Sequence, residues 1–572
     1  MSVATRAVTS RLTRRIRNIF YSGGQEGYLT RYDRRTGFAR DIQPWPRLYS
    51  GESAGSVPER WNWTFPIAAP AIQPDVLYVG SQRLWRTQND GQGWEKISPD
   101  LTRADPQTLG DSGGPITKDQ NGPEFFATIF TIAPSRLEKD TVWVGSDDGV
   151  VSLTRDGGRT WTKVTPRDMP EFATVSLIDA SPHRPGAAYV AGKRYRLDDR
   201  APYVWKTEDY GRTWTRIVHG ISATHYVHAV REDPARPGLL FAGTEHGPYV
   251  SFDDGLRWDP LSLNLPDTQV SDLVVEGTDL VIATHGRSFW VMDDLEPLRQ
   301  WTDAVRGAPL HLFRPRPAVR RDDPALVDFW LSEAGKVRVE VLDGAGNLVR
   351  TVVMDGAGKA GLNRSSWDLR YPGAVVFEGL VLRSDDAARG PLSPPGKYQV
   401  RVSAGGQTQT RSLALLKDPR LTTVTQADLE EQFRLAMKVR DATSTAHKAV
   451  MQIRAAKTEI EARSSGGRRR PQDDELVEKL SAIEEALYQV KNRSIKDVLA
   501  FPIRLNNRLA ALQRVIEEGD ARPTDQTYKV LAELSAELSR HLASLSALIA
   551  RDLSRLDLAP DGPEAAASAP GR

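Results

Sequence analysis

The sequence predicts a mainly β protein. It reads as a β-propeller (whether or not its ring is complete), followed by an immunoglobulin-like β-sandwich and then an α-helical bundle or coiled coil. Three observations carry that prediction. All 14 tryptophans precede residue 368, and none follows Trp367. One eight-residue turn pattern recurs four times in the front half. From about residue 422 the chain turns rich in Ala, Leu, Glu and Arg, and its apolar period becomes helical.

The repeated pattern is Ser/Thr-x-Asp/Asn-x-Gly-x-x-Trp. It runs from Thr87 through Asn89 and Gly91 to Trp94, and from Thr154 through Asp156 and Gly158 to Trp161. It returns from Thr207 through Asp209 and Gly211 to Trp214, and from Ser251 through Asp253 and Gly255 to Trp258. The tryptophans are 67, 53 and 44 residues apart, and each turn follows a short β-rich run. Degenerate versions follow residues 19–22 and 279–283, ending near Asp33 and Asp293. The chemistry is that of a closed turn. A carboxylate or amide accepts nearby backbone N–H groups, glycine supplies a positive φ, and the indole wedges between neighbouring sheets. These are Asp boxes, read as turn staples rather than catalytic groups. Units of about 45 residues carrying them read as propeller blades over residues 19–300.

On these boxes, and on phrases such as Ile97-Ser-Pro-Asp-Leu-Thr102 and Thr284-His-Gly-Arg-Ser288, the chain resembles the bacterial sortilin-like, BNR (Asp-box) repeat proteins, often labelled glycosyl hydrolases. The resemblance extends over nearly the whole chain. Because the chain starts in mid-blade near Ile19, it implies the C-terminal portion of a longer family member. It also implies an exported, periplasmic or extracellular protein, although no signal peptide can be read. The Arg-rich, acid-free residues 1–18 are expected to be a disordered or misassigned start.

Residues 305–420 are expected to form the sandwich, with alternating strands and a hairpin turn at Asp343–Asn347. Over residues 426–556 a seven-residue recurrence of Leu429, Ala436, Thr443 and Val450 predicts helices. They would form an intramolecular bundle or mediate self-association. The basic loop at Arg468–Arg470 reads as solvated, and the Ala/Pro-rich residues 559–572 as a disordered tail.

Composition excludes several classes. Lys+Arg 76 against Asp+Glu 74 gives a formal charge of +2, so no global field points to nucleic acid. The absence of cysteine excludes disulfides, thiolate metal sites and thiol catalysis. No apolar run approaches a membrane span, and no pattern implies a cofactor or a metal site. Gly110-Asp-Ser112-Gly-Gly-Pro115 copies a serine-protease motif, but the first histidine is His183, whereas that family's histidine precedes its serine.

In a blade whose third and fourth strands are joined by the box, the loops on the opposite rim should carry any site. Those loops hold Glu26, Arg83, Asp147, Asp148, Glu245, His246, His285 and Arg287, with Trp61, Trp63, His225 and His228 between blades. The reading is a non-catalytic binding or scaffolding protein. Trp61, Trp63, Arg83, His246, His285 and Arg287 would engage a protein, peptide or glycan. The alternative is a glycoside hydrolase, sialidase- or glucanase-like, drawing on Glu26, Asp147, Asp148 or Glu245 as carboxylates across a sugar. A structural assembly factor using its helices is a third possibility. His225 and His228, three apart in a strand, should point to opposite faces.

Overall fold

The computed structural model describes residues 9–12, 18–122, 124–321, 324–383, 386–464 and 471–553. The Arg468–Arg470 loop, the tail from residue 559 and most of the first 17 residues lie outside them. Two compact units emerge, Met1–Thr302 and Asp303–Arg572.

The first unit is six antiparallel sheets in strict chain order, each an up-and-down meander. Blade 1 comprises Thr9–Leu12, Ile19–Gly23, Leu29–Asp33 and Phe38–Asp41, so part of the expected disordered start is strand. Blade 2 comprises Ile67–Ala68, Leu77–Gly80, Leu84–Thr87 and Glu95–Lys96. Blade 3 runs Ile129–Pro134, Val142–Ser146, Val151–Thr154 and Thr162–Lys163. Blade 4 runs Thr174–Ala180, Ala188–Arg194, Asp199–Thr207 and Thr215–Arg216. Blade 5 runs Val227–Glu232, Leu240–Thr244, Gly247–Ser251 and Asp259–Pro260. Blade 6 has three strands, Val270–Glu276, Asp279–Thr284 and Phe289–Met292. The first strand of each blade packs beside the first strand of the next, which is the arrangement of a β-propeller.

Apolar side chains on both faces of the blades produce this packing. Val142–Ser146 and Leu240–Thr244 are buried at every residue, because each sheet is covered by a neighbour on either side. Blades 3 and 4 meet through Trp143, Val151, Val175, Val190 and Trp205. Gly145 makes that approach possible, since a Cβ there would lie 2.3 Å from Val175 Cγ1.

The four repeated turns hold successive blades together. In blade 3, Thr154 Oγ1 donates to Asp156 Oδ1 (2.9 Å) and accepts from Gly158 N (2.9 Å). Asp156 Oδ1 also accepts from Thr160 N (2.9 Å). Gly158 takes φ +94°, and a Cβ would strike the Ile97 carbonyl. The indole N–H groups of Trp94, Trp161, Trp214 and Trp258 donate to the carbonyls of Ile42, Ile97, Val164 and Ile217 at 2.7–3.0 Å. Each acceptor directly follows the fourth strand of the preceding blade.

The innermost strands share a second repeated feature. Four of them carry a register shift near their start, and the extra residue is Phe130, Ser176, His228 or Ser271. A bulge adds one residue and re-aims its side chain, so the alternation expected around His228 does not hold.

In the second unit a three-stranded sheet and a five-stranded sheet share one apolar core, which includes Val327, Phe329, Val339, Val400 and Trp367. Four helices, Gln426–Ser464, Pro471–Leu487, Leu505–Glu517 and Asp525–Leu548, pack around another. The seven-residue stripe faces inward: Leu429, Ala436, Thr443 and Val450 are all buried, and Ala436 and Val450 pack against helices of the same chain. Arg320 joins the five-stranded sheet to the helices through Asp520 and through Gln432 Oε1 (2.8 Å). No helix among the described residues is long and apolar enough to cross a membrane.

Candidate ligand-binding site

A cavity of about 700 Å³ opens on the rim opposite the repeated turns, at blades 2 to 4. Its apolar wall is Trp63, Phe125, Phe126, Phe130 and Phe172, and its polar groups include Asn62, Glu124, Asp147 and Arg196. Phe130 reaches it as the bulge residue of blade 3. Phe126 and Phe172 lie 6.4 Å apart, and the Arg103 guanidinium sits 4.6 Å from the Phe172 ring centre.

Asp147 forms one edge and is 5% exposed by its position in the loop after Val142–Ser146. Its Oδ1 accepts from Thr128 N (2.8 Å), and its Oδ2 from Thr128 Oγ1 (2.8 Å) and Asn62 Nδ2 (3.3 Å). Burial raises its pKa to about 7, against the opposing pull of those donors. Asp148 is 1% exposed and binds Ser146 Oγ together with the Arg103 and Ala104 N–H groups. Burial raises its pKa too. Asp148 thereby anchors the 103–104 backbone.

Next to the cavity, blades 4 and 5 bring together Lys193, His228, Glu245 and Tyr226. Lys193 Nζ is 3.3 Å from His228 Nδ1, and His228 Nε2 is 3.2 Å from Glu245 Oε2. Burial, followed by the Lys193 charge, holds His228 well below the ordinary imidazole range. Tyr226 stacks on Tyr195 at 4.8 Å, and burial together with its hydrogen bond to Glu245 raises its hydroxyl pKa. His225 takes a different direction, bonding Tyr249 Oη (2.9 Å) and lying 4.5 Å from the His246 ring.

The expected site residues therefore divide. Trp63 and Asp147 line the cavity. Trp61 does not: it is 0% exposed, edge-on to Phe65 at 5.2 Å, and forms part of the core. Arg83 is held by the Pro58 carbonyl and Glu59. Glu26 accepts from Ser50 Oγ at 2.9 Å. Glu245 joins the Lys193 cluster, and His246 pairs with Asp267 at 3.0 Å. His285 and Arg287 are exposed on the blade 6 loop. Ser112 Oγ bonds the Asp119 carbonyl in an exposed loop. The four phenylalanines, Asn62 and Lys193 were not expected from sequence. Among the described residues no group of three or more potential ligands could hold a metal ion.

Neither a protein-family profile nor a curated protein matches the sequence. Among solved structures, the chain is similar to a GH74 xyloglucanase from Xanthomonas campestris, at 16% identity and TM-score 0.38 over 70% of this chain. That match spans 60% of the enzyme's length. A GH74 enzyme from Niastella koreensis gives 12% identity and TM-score 0.36, covering 71% of this chain and 65% of its own. YCF48 bound to D1 peptide gives 12% identity and TM-score 0.34, covering 64% and 94%. The assignment of a propeller rests on the order and packing of the six sheets.

Proposed function

We propose that the protein is a non-catalytic binder that seats an apolar side chain of a protein or peptide ligand in the cavity bounded by Trp63, Phe126, Phe130 and Phe172. The aromatic wall is the observation that carries this reading. Phenylalanine offers ring area with no polar handle, which suits an aliphatic or aromatic side chain better than a hydroxyl-rich sugar. On this reading the repeated turns are Asp boxes of the sortilin-like, BNR kind and act as clasps between blades. The two-sheet unit would be immunoglobulin-like, and both it and the helical bundle would serve spacing or assembly. Titrating the protein with an arrayed peptide library, followed by its intrinsic tryptophan fluorescence, should give saturable binding that Phe172→Ala weakens. Binding of oligosaccharides alone, with no peptide, would overturn it.

A glycoside hydrolase is the second reading, favoured by one observation: Asp147 is a buried carboxyl at the cavity edge with its pKa raised to about 7, the range of a general acid. Against it, both Asp147 oxygens already accept hydrogen bonds from fixed donors. Release of a chromogenic leaving group from an aryl glycoside, abolished by Asp147→Asn, would establish it.

A further inference from the structure

Lys193 stands in a strand of blade 4, with its amine against a histidine of blade 5. Among the described residues no carboxylate forms an ion pair with its Nζ, and its polar neighbour is the imidazole of His228. The orientation of that imidazole is dictated from behind. The Glu245 carboxylate accepts at Nε2, so Nε2 carries the hydrogen and Nδ1 turns its lone pair toward the lysine. Both residues sit at irregularities of the sheet. His228 is the bulge residue of blade 5, and Lys193 lies where the pairing of Ala188–Arg194 with Asp199–Thr207 shifts register. The Phe130 ring centre is 5.5 Å from Nζ, which sets the amine beside one of the rings that line the cavity.

Carboxylate, imidazole and nucleophile in hydrogen-bonded series is the arrangement by which proteins activate a weak nucleophile. Here the nucleophile is a primary amine, whose characteristic partner is a carbonyl carbon. We infer that Lys193, positioned by His228 and Glu245, captures small aldehydes or ketones as a protonated imine beside the cavity. The ammonium first gives a proton to solvent water, and the neutral amine stays hydrogen-bonded to His228 Nδ1, which orients it. The freed nitrogen pair then forms the C–N bond while the C=O π pair moves to oxygen. A nitrogen proton and one returned from solvent leave with that oxygen as water, and the C=N bond closes. No oxidant or reductant is consumed. The chemistry requires only that a small carbonyl compound reach Nζ, so it stands or falls apart from the peptide-binding reading.

The charges facing the amine fit this role. Burial, and then Arg196, push the Lys193 pKa down to about 8, while Glu245 opposes them; His228 from blade 5 and Tyr195 complete the surroundings. At pH 7.5 the neutral amine is then roughly two hundred times more abundant than on an ordinary lysine.

The test treats the full chain with substoichiometric benzaldehyde and sodium cyanoborohydride, then maps benzylated lysines by peptide mass spectrometry. Lys193 should label about tenfold faster than the median lysine at pH 7.5, after allowing for its lower basicity. Its rate should show an inflection near pH 8. Lys193→Arg should remove the dominant labelled peptide. Arg196→Gln should move the inflection up and Glu245→Gln should move it down, because the first removes a repelling cation and the second an attracting anion. Labelling that merely follows exposure, or an inflection at the ordinary lysine position, would overturn the inference in the unmutated protein. An inflection unmoved by Glu245→Gln would remove Glu245, and the imidazole it orients, from the positioning role.

Discussion

The two rims of the propeller satisfy their polar groups in opposite ways. On the turn rim every repeat closes upon itself: the Asp156 carboxylate accepts from Thr154 and Thr160, and the Trp161 indole donates to the blade before it. On the loop rim the groups that converge are a buried carboxyl, a lysine amine whose polar partner is an imidazole, and five aromatic rings around a cavity. A rim whose hydrogen bonds are locally complete can add stability but has little left to offer a ligand. A rim with incompletely matched charges and an open apolar wall has the opposite character. Substitutions on the two rims should therefore separate folding from binding.

The largest effect should come from the turn rim. Trp161→Ala removes a wedge between blades and the hydrogen bond to Ile97, and should cost about 3 kcal/mol in urea unfolding. Peptide affinity, measured where the variant is still folded, should not change. Gly145→Ala should follow at about 2 kcal/mol, because the added methyl must displace Val175 at the blade 3–4 seam. If Trp161→Ala abolished binding while leaving the unfolding midpoint intact, the contrast between the rims would collapse.

On the loop rim the order reverses. Trp63→Ala should weaken ligand binding about tenfold, close to 1.4 kcal/mol, and shift the unfolding midpoint by less than Gly145→Ala does. Asp156→Ala should lower the melting temperature by less than Trp161→Ala, with a pH signature. Hydrogen bonds from Thr160 hold the Asp156 pKa down to about 2, below its unfolded value near 4. Its contribution is thus fully present above pH 4 and is lost as pH falls through 2. The melting difference between wild type and variant should close over that window.

The turn rim was legible in the sequence because its chemistry is local. Eight consecutive residues contain both the acceptor and the donors, and four copies make the pattern unmistakable. The loop rim was legible only in location. Phe126, Phe130 and Phe172 are separated by up to 46 residues and meet because blades 3 and 4 meet, and no sequence period records that. The bulges at Phe130 and His228 break the two-residue alternation that assigns a strand residue to a face; His225 and His228 do take different partners, but His225 precedes the strand and His228 is its bulge residue, so alternation is not the cause. Trp61 and Trp63 look equivalent in Trp-Asn-Trp, yet one is core and the other cavity wall. The helical stripe was visible, but its period does not say whether the partner helix belongs to the same chain. Here the helices bury it within the chain.

The effect at Asp147 is one of pH dependence, and it has the opposite sign to that at Asp156. Burial leaves its carboxyl with a pKa of about 7 in the folded chain, above the unfolded value near 4. The folded state therefore holds a proton that the unfolded state has released between pH 4 and pH 7. Stability contributed by this group is fully present below pH 4 and declines as pH rises toward 7. Asp147→Asn removes the titration and keeps the side chain's shape, with the Asn oxygen able to accept from Thr128 N. Stability profiles of wild type and variant should diverge as pH falls from 7 to 4, with the wild type gaining relative to the variant. Parallel profiles across that window would mean that water or a neighbouring donor already neutralises the burial. The loop rim would then be as well satisfied at this position as the turns on the other side.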